Sequence, residues 1–265
     1  MTKITSTSIA LLACIFASGG IVNTAFASAE KGLEIAAEVD NRDKGFGDSI
    51  SQLTMVLADK HGNSTTRQIR NRTLEVDGEG DKSLVIFDSP GDVRGTAFLS
   101  HTKKSGPDDQ WLYLPALKRV KRIASSNKAG PFMGSEFSYE DIASQEIEKY
   151  TYNYVRDERL GEVDCFVVEF FPTDKKSGYS YQTVWIDKAE YRFQKIEFYD
   201  RKKSLLKTLN YEGYNLHLDK YWRSDKLVMV NHQTGKSTQL LFSDWKMSTG
   251  LKERDFQKNA LKKIR

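Results

Sequence analysis

Cysteine and proline are scarce in this chain, with 2 and 5 among 265 residues, and beyond the N-terminal segment no run reaches about 18 apolar residues. The first shortage excludes a disulfide-stapled mini-domain, and the missing runs exclude a polytopic membrane protein. Glycine, at 18 residues, is far too rare for a collagen-like repeat. A formal net charge of +4 is also well short of the basic stripe of a nucleic-acid binder, so nucleic acid is not an expected partner. What remains is a globular chain, 39% hydrophobic and 11% aromatic, long enough for one large β-rich domain.

The first residues read as an export signal. Lys3 precedes the apolar stretch Ile9 to Ala17, and Ala25-Phe26-Ala27 offers a small-x-small cleavage site, so residues 1–27 form a leader and 28–265 a single domain in the periplasm. Cleavage after Ala29 also fits. Leu11-Leu12-Ala13-Cys14 is a competing lipoprotein box that would leave Cys14 acylated. Signal cleavage leaves one thiol, Cys165, in a strand-like apolar run that suits a buried, inert cysteine. His61, His101, His217 and His232 show no metal-ligand spacing, and no metal or cofactor is expected.

Helical spacing is expected from Ser28 to Asp40, with Ser28 as the cap and Gly45 and Gly47 as the stop. A period near two follows over Ser51 to Leu57, Thr65 to Val76, Ser83 to Phe87, Arg94 to Ser100 and Gln110 to Leu114. Turn-forming stretches such as His61-Gly62-Asn63 and Ser89-Pro90-Gly91 divide these runs. Ser138-Tyr139-Glu140-Asp141 has the spacing of a capping box and predicts a second helix, with Glu140 and Asp141 near the dipole's positive end. Strands resume over Thr151 to Tyr154, Glu162 to Phe171, Tyr179 to Ile186, Arg192 to Tyr199, Leu205 to Tyr211, Leu227 to Asn231 and Ser237 to Trp245. Apolar residues on both faces of several strands imply a sheet covered by helices on one side and closed or filled on the other, which makes a hollow.

Catalytic motifs fail one by one. Gly235-Lys236-Ser237 ends like a P-loop, but Val230 stands where its first glycine belongs; Gly45-Phe46-Gly47 begins a dinucleotide fingerprint that ends in Ile50. Two S-x-x-K matches, at Ser100 and Ser125, lack partner motifs, so no enzyme activity is expected. Lys118-Arg119-Val120-Lys121-Arg122 reads either as an edge strand blocked by charge or as a surface for anionic head groups.

Three stretches carry a family resemblance. They are Glu79 to Phe87 with Gly95-Thr96-Ala97-Phe98-Leu99, then Trp111 to Ile123, then Phe132 to Ile142, with Val184-Trp185-Ile186-Asp187-Lys188 downstream. Together they resemble the LolA-like outer-membrane lipoprotein-sorting proteins of bacteria, nearest to the branch that includes a spirochaete phospholipid-binding lipoprotein. Glu136 departs from the family's more usual Asp, and no residue here matches the arginine of the LolA carrier itself. The resemblance implies an α+β fold: a strongly curved antiparallel sheet, an incomplete barrel, with helices over its open concave side. It also implies a carrier that binds lipid or an acylated lipoprotein and moves it towards the outer membrane. The alternative is an adaptor docking on an inner-membrane exporter of the resistance-nodulation-division type. The candidate cavity wall is Leu112, Leu114, Phe132, Met133, Phe137, Trp185 and Phe198, and the candidate rim is Lys118, Arg119, Lys121 and Arg122, with the Ser138 helix as a lid.

Overall fold

The computed structural model describes residues 20–264, so Cys14 and most of the expected leader lie outside the described residues. One helix, α1 (Gly20–Asp43), precedes thirteen strands: β1 (Asp48–Ala58), β2 (Ser64–Leu74), β3 (Lys82–Ser89), β4 (Ala97–His101), β5 (Asp109–Leu114), β6 (Arg119–Ile123), β7 (Tyr150–Leu160), β8 (Val163–Pro172), β9 (Tyr179–Asp187), β10 (Phe193–Asp200), β11 (Leu205–His217), β12 (Tyr221–Asn231) and β13 (Ser237–Met247). The rest is loops and short 3-10 turns. No described helix is long and apolar enough to cross a membrane.

All strands belong to one antiparallel sheet in the order β6-β5-β4-β3-β2-β1-β13-β12-β11-β10-β9-β8-β7, open between β6 and β7. Its curvature follows from two neighbouring residues. The Tyr139 carbonyl accepts from Gln110 of β5 at 3.1 Å, while the Ser138 hydroxyl lies 3.1 Å from the Tyr179 hydroxyl of β9. Those strands stand second and eleventh in the order. A flat sheet at about 4.8 Å per strand would hold them roughly 40 Å apart. The sheet therefore rolls up until its two wings face each other, and alternation along each strand decides which side chains point into the roll.

Inward residues of both wings form one core that includes Leu53, Ile69, Phe87, Phe98 and Leu112 from one side and Val168, Val184, Ile196, Leu209 and Met229 from the other. Outward residues on β3 and β4, among them Leu84, Ile86 and Leu99, are covered by the C-terminal segment, whose Phe256 and Leu261 are buried on them. That segment is tied down where Asp48 accepts from the Thr249 and Gly250 amides at 2.8 and 3.0 Å, and where His101 Nε2 donates to the Phe256 carbonyl at 2.7 Å.

α1 lies against β7. A Cβ on Gly32 would come 2.9 Å from the Tyr154 amide nitrogen, so only glycine permits this approach. The expected helix is present but begins upstream of Ser28, whose hydroxyl donates to Asn153 Oδ1 at 2.7 Å and is no cap. The helix expected at Ser138 does not form. Residues 138–146 are a bridge, turns and irregular chain, followed only by a 3-10 turn at Ile147–Lys149. The local capping signal is real, since the Ser138 amide donates to Asp141 Oδ2 at 2.6 Å, but the carboxylates that would serve a helix are engaged by β9, β11 and the loop before β9.

Candidate functional site

The chain between β6 and β7 crosses the hollow as a plug. Phe132 and Phe137 are buried, with the Phe132 ring 5.2 Å from that of Phe98 and 5.5 Å from that of Tyr139. Polar ties then fix it to strands on both wings. Arg67 of β2 donates to the Met133 carbonyl at 2.6 Å, and the Glu136 amide donates to Thr238 Oγ1 of β13 at 3.0 Å. Lys207 of β11 donates to the Glu136 carbonyl at 2.9 Å and to Asp141 Oδ2 at 2.6 Å, and the Tyr179 hydroxyl donates to Asp141 Oδ1 at 2.8 Å. Glu140 accepts from the Gly178 amide at 2.8 Å and the Ser177 hydroxyl at 2.9 Å. These contacts satisfy polar groups that burial would otherwise penalise.

Beside the plug, a cavity of about 1230 Å³ opens between α1, the inner faces of the β7–β13 wing and the loop before β3. Its apolar wall includes Ala36 and Val39 of α1, Tyr152, Phe170, Tyr211, Tyr214, Trp222, Leu227, Phe242 and Trp245. A smaller cavity of about 490 Å³ lies in the gap between the two sheet edges, and Lys104, Ser144, Gln145, Glu148 and Tyr211 line both. Burial pushes the Tyr211 and Tyr214 phenols upward, so both stay neutral hydroxyls. Trp245 Nε1 is buried without a hydrogen-bond partner.

The mouth carries charge of both signs. Arg192 pairs with Asp187 at 2.6 Å and lies 4.5 Å over the Trp222 ring; Arg42 pairs with Glu38 at 2.8 Å and stacks 4.6 Å over Tyr191. Asp81 and Glu146 both line the larger cavity, and a Cβ on Gly80 would come 2.6 Å from the Thr102 carbonyl carbon and 2.9 Å from Glu146 Oε1. Burial first, and the neighbouring Glu146 charge second, push Asp81 up to about 7. Burial also raises Glu146. The arrangement shelters apolar groups behind a charged mouth.

Of the residues expected at the cavity wall, Phe198 lines the smaller cavity. Leu112, Phe132 and Phe137 are buried in the core around the plug, and Leu114 and Met133 pack against that core. Trp185 points to the opposite face, where it packs with Cys165 and Val167, because Val184 and Ile186 on either side of it face inward. Lys118, Arg119, Lys121 and Arg122 stand exposed at and just before β6, one of the two free edges of the sheet, and line neither cavity. The wall residues that sequence reasoning missed are mostly tyrosine and tryptophan on β11–β13. Their signal was the aromatic spacing Tyr211, Tyr214 and Trp222 in otherwise polar chain. Lys207 was legible as a lone lysine among Leu205, Leu206 and Leu209.

A family model described only as that of an uncharacterized protein matches residues 79–263. No curated protein matches the chain. A crystal structure assigned as an outer membrane lipoprotein-sorting protein domain, from Vibrio parahaemolyticus, is 61% identical, covering 88% of this chain and 99% of its own with a TM-score of 0.87. A DUF1329 family protein from Desulfovibrio piger is 30% identical over 88% of this chain and 99% of its own, with a TM-score of 0.84. A LolA superfamily protein from Nitrosomonas europaea, 22% identical over 88% of this chain and 98% of its own, has the same fold with a TM-score of 0.70. The chain therefore shares the fold of the LolA superfamily protein, and by its 61% and 30% identity over nearly the full length of the first two it belongs to the family of these outer-membrane lipoprotein-sorting and DUF1329 domains.

Proposed function

We propose that this protein is a periplasmic carrier that takes the acyl chains of a lipid or lipoprotein into the cavity between α1 and the β7–β13 wing and moves them towards the outer membrane. The observation that carries this reading is the cavity itself, about 1230 Å³ and walled by aromatic and aliphatic side chains. It exceeds the roughly 300–1,000 Å³ of ordinary small-molecule sites. Each methylene left in water costs about 0.8 kcal/mol, so a chain of about sixteen carbons gains roughly 12 kcal/mol on entering an apolar hollow.

The carrier works by binding alone. The plug's ion pair and hydrogen bonds keep the two wings from collapsing on each other, and α1 roofs the hollow. Native mass spectrometry of the purified protein checks the reading: bound amphiphiles are expected, and Val39→Trp, which places an indole in the cavity, is expected to displace them. A protein that remains free of amphiphiles after incubation with phospholipid and acylated peptide contradicts it.

A further inference from the structure

We propose that the β6 edge of the sheet and the C-terminal turn together form a docking surface for an anionic phospholipid membrane. Two basic segments far apart in sequence meet there. β6 brings Arg119, Lys121 and Arg122, and the turn before it Lys118, all exposed. The 3-10 turn Lys258–Lys263 rests on β4, β5 and β6 through Leu261 and Val120 and adds exposed Lys258, Lys262 and Lys263. Arg122 shares Asp109 with Lys103, and among the described residues the other six form no ion pair. Blocking an edge strand accounts for the cations of β6 but not for Lys258, Lys262 and Lys263, which lie on no strand.

A second feature points to a membrane. Leu117, at the turn that leads into β6, is 63% exposed beside Lys118, which holds a left-handed φ of 47°. An exposed leucine at the head of a basic run suits the boundary between head groups and acyl chains. The cations diverge from two elements and from both faces of β6, so they form no pocket around a fixed acidic group, and a membrane, unlike a folded partner, asks for none. Ile123, the last residue of β6, lines the smaller cavity with Ser125 and Lys128, so docking by this edge turns the gap between the sheet edges towards the bilayer. This inference deepens the carrier reading by naming the surface on which cargo is exchanged, and its purpose rests on that reading.

The test is co-sedimentation of the full protein with vesicles of phosphatidylglycerol in phosphatidylcholine, and with vesicles of phosphatidylcholine alone. Binding to the anionic vesicles only, weakened by about 0.5 M salt, is expected. Each basic residue near such a surface contributes about fivefold, so Lys118→Gln/Arg119→Gln/Lys121→Gln is expected to weaken partitioning by about a hundredfold, and Leu117→Ser by several-fold. Val39→Trp is expected to keep full vesicle binding, which separates failure of the docking surface from failure of the cavity. Equal binding to both vesicle types, or an unaffected triple variant, overturns the proposal. Capture by soluble poly-glutamate without any vesicle binding also overturns it, in favour of an acidic protein partner.

Discussion

Lys207 and Asp141 form an ion pair at 2.6 Å with side chains only 4% and 6% exposed, and this pair ties the plug to β11. Asp141 also accepts from the Tyr179 hydroxyl and the Ser138 amide, so its charge has three donors at a largely buried site. Removing one partner of a buried pair leaves the other charge uncompensated, which costs about 3–5 kcal/mol. Lys207→Met is therefore expected to destabilise the protein by that amount in urea unfolding and to expose residues 131–149 to proteolysis. The double variant Lys207→Met/Asp141→Leu is expected to recover a large part of the loss, since matched apolar groups replace such pairs at little cost.

Asp81 gives a pH signature. Its folded value of about 7 lies above its ordinary value of 3.8, so the folded state holds a proton that the unfolded chain releases. Stability from this group is fully present below about pH 4 and falls as pH rises through about 7. His101, which burial pushes down, acts in the opposite direction, because its neutral form is favoured in the folded state. Comparison of wild type with Asp81→Asn across pH 5 to pH 8 isolates the carboxyl. The variant is expected to gain stability relative to wild type as pH rises, and a constant difference would assign the site no proton.

Phe256 tests the strap on the convex face. It is 1% exposed and covers Leu84, Ile86 and Leu99, which would otherwise face water. Phe256→Ala is expected to cost about 3–5 kcal/mol in urea unfolding, as other buried phenylalanine truncations do. A loss below about 1 kcal/mol would mean that the segment is dispensable.

Most strands were legible because apolar runs of period two are bounded by strong turn chemistry; the run Ser237 to Trp245, for example, becomes β13 almost unchanged. β11 and β12 were read too short. Beyond Tyr211 the chain turns polar, yet Tyr214 pairs with Ser224 and Asn215 with Arg223 outside the main core, held by backbone bonds that no hydrophobic pattern announces. The Ser138 helix was misread because Asp141 and Glu140 look like helix-start acids locally but are spent on Lys207, Tyr179, Ser177 and Gly178 across the hollow. The cavity wall was the least legible part. Phe132 and Phe137 are as apolar as any wall residue, and composition cannot separate a side chain that fills a core from one that faces an opening.

The most direct test of the carrier account is tryptophan quenching by a brominated fatty acid. Trp222 and Trp245 line the cavity, whereas Trp111 and Trp185 pack on the outer face of the sheet. The account predicts saturable quenching that disappears in Trp222→Phe/Trp245→Phe and persists in Trp185→Phe. Quenching that vanishes instead with Trp185, or that is absent altogether, would contradict a cavity that shelters acyl chains.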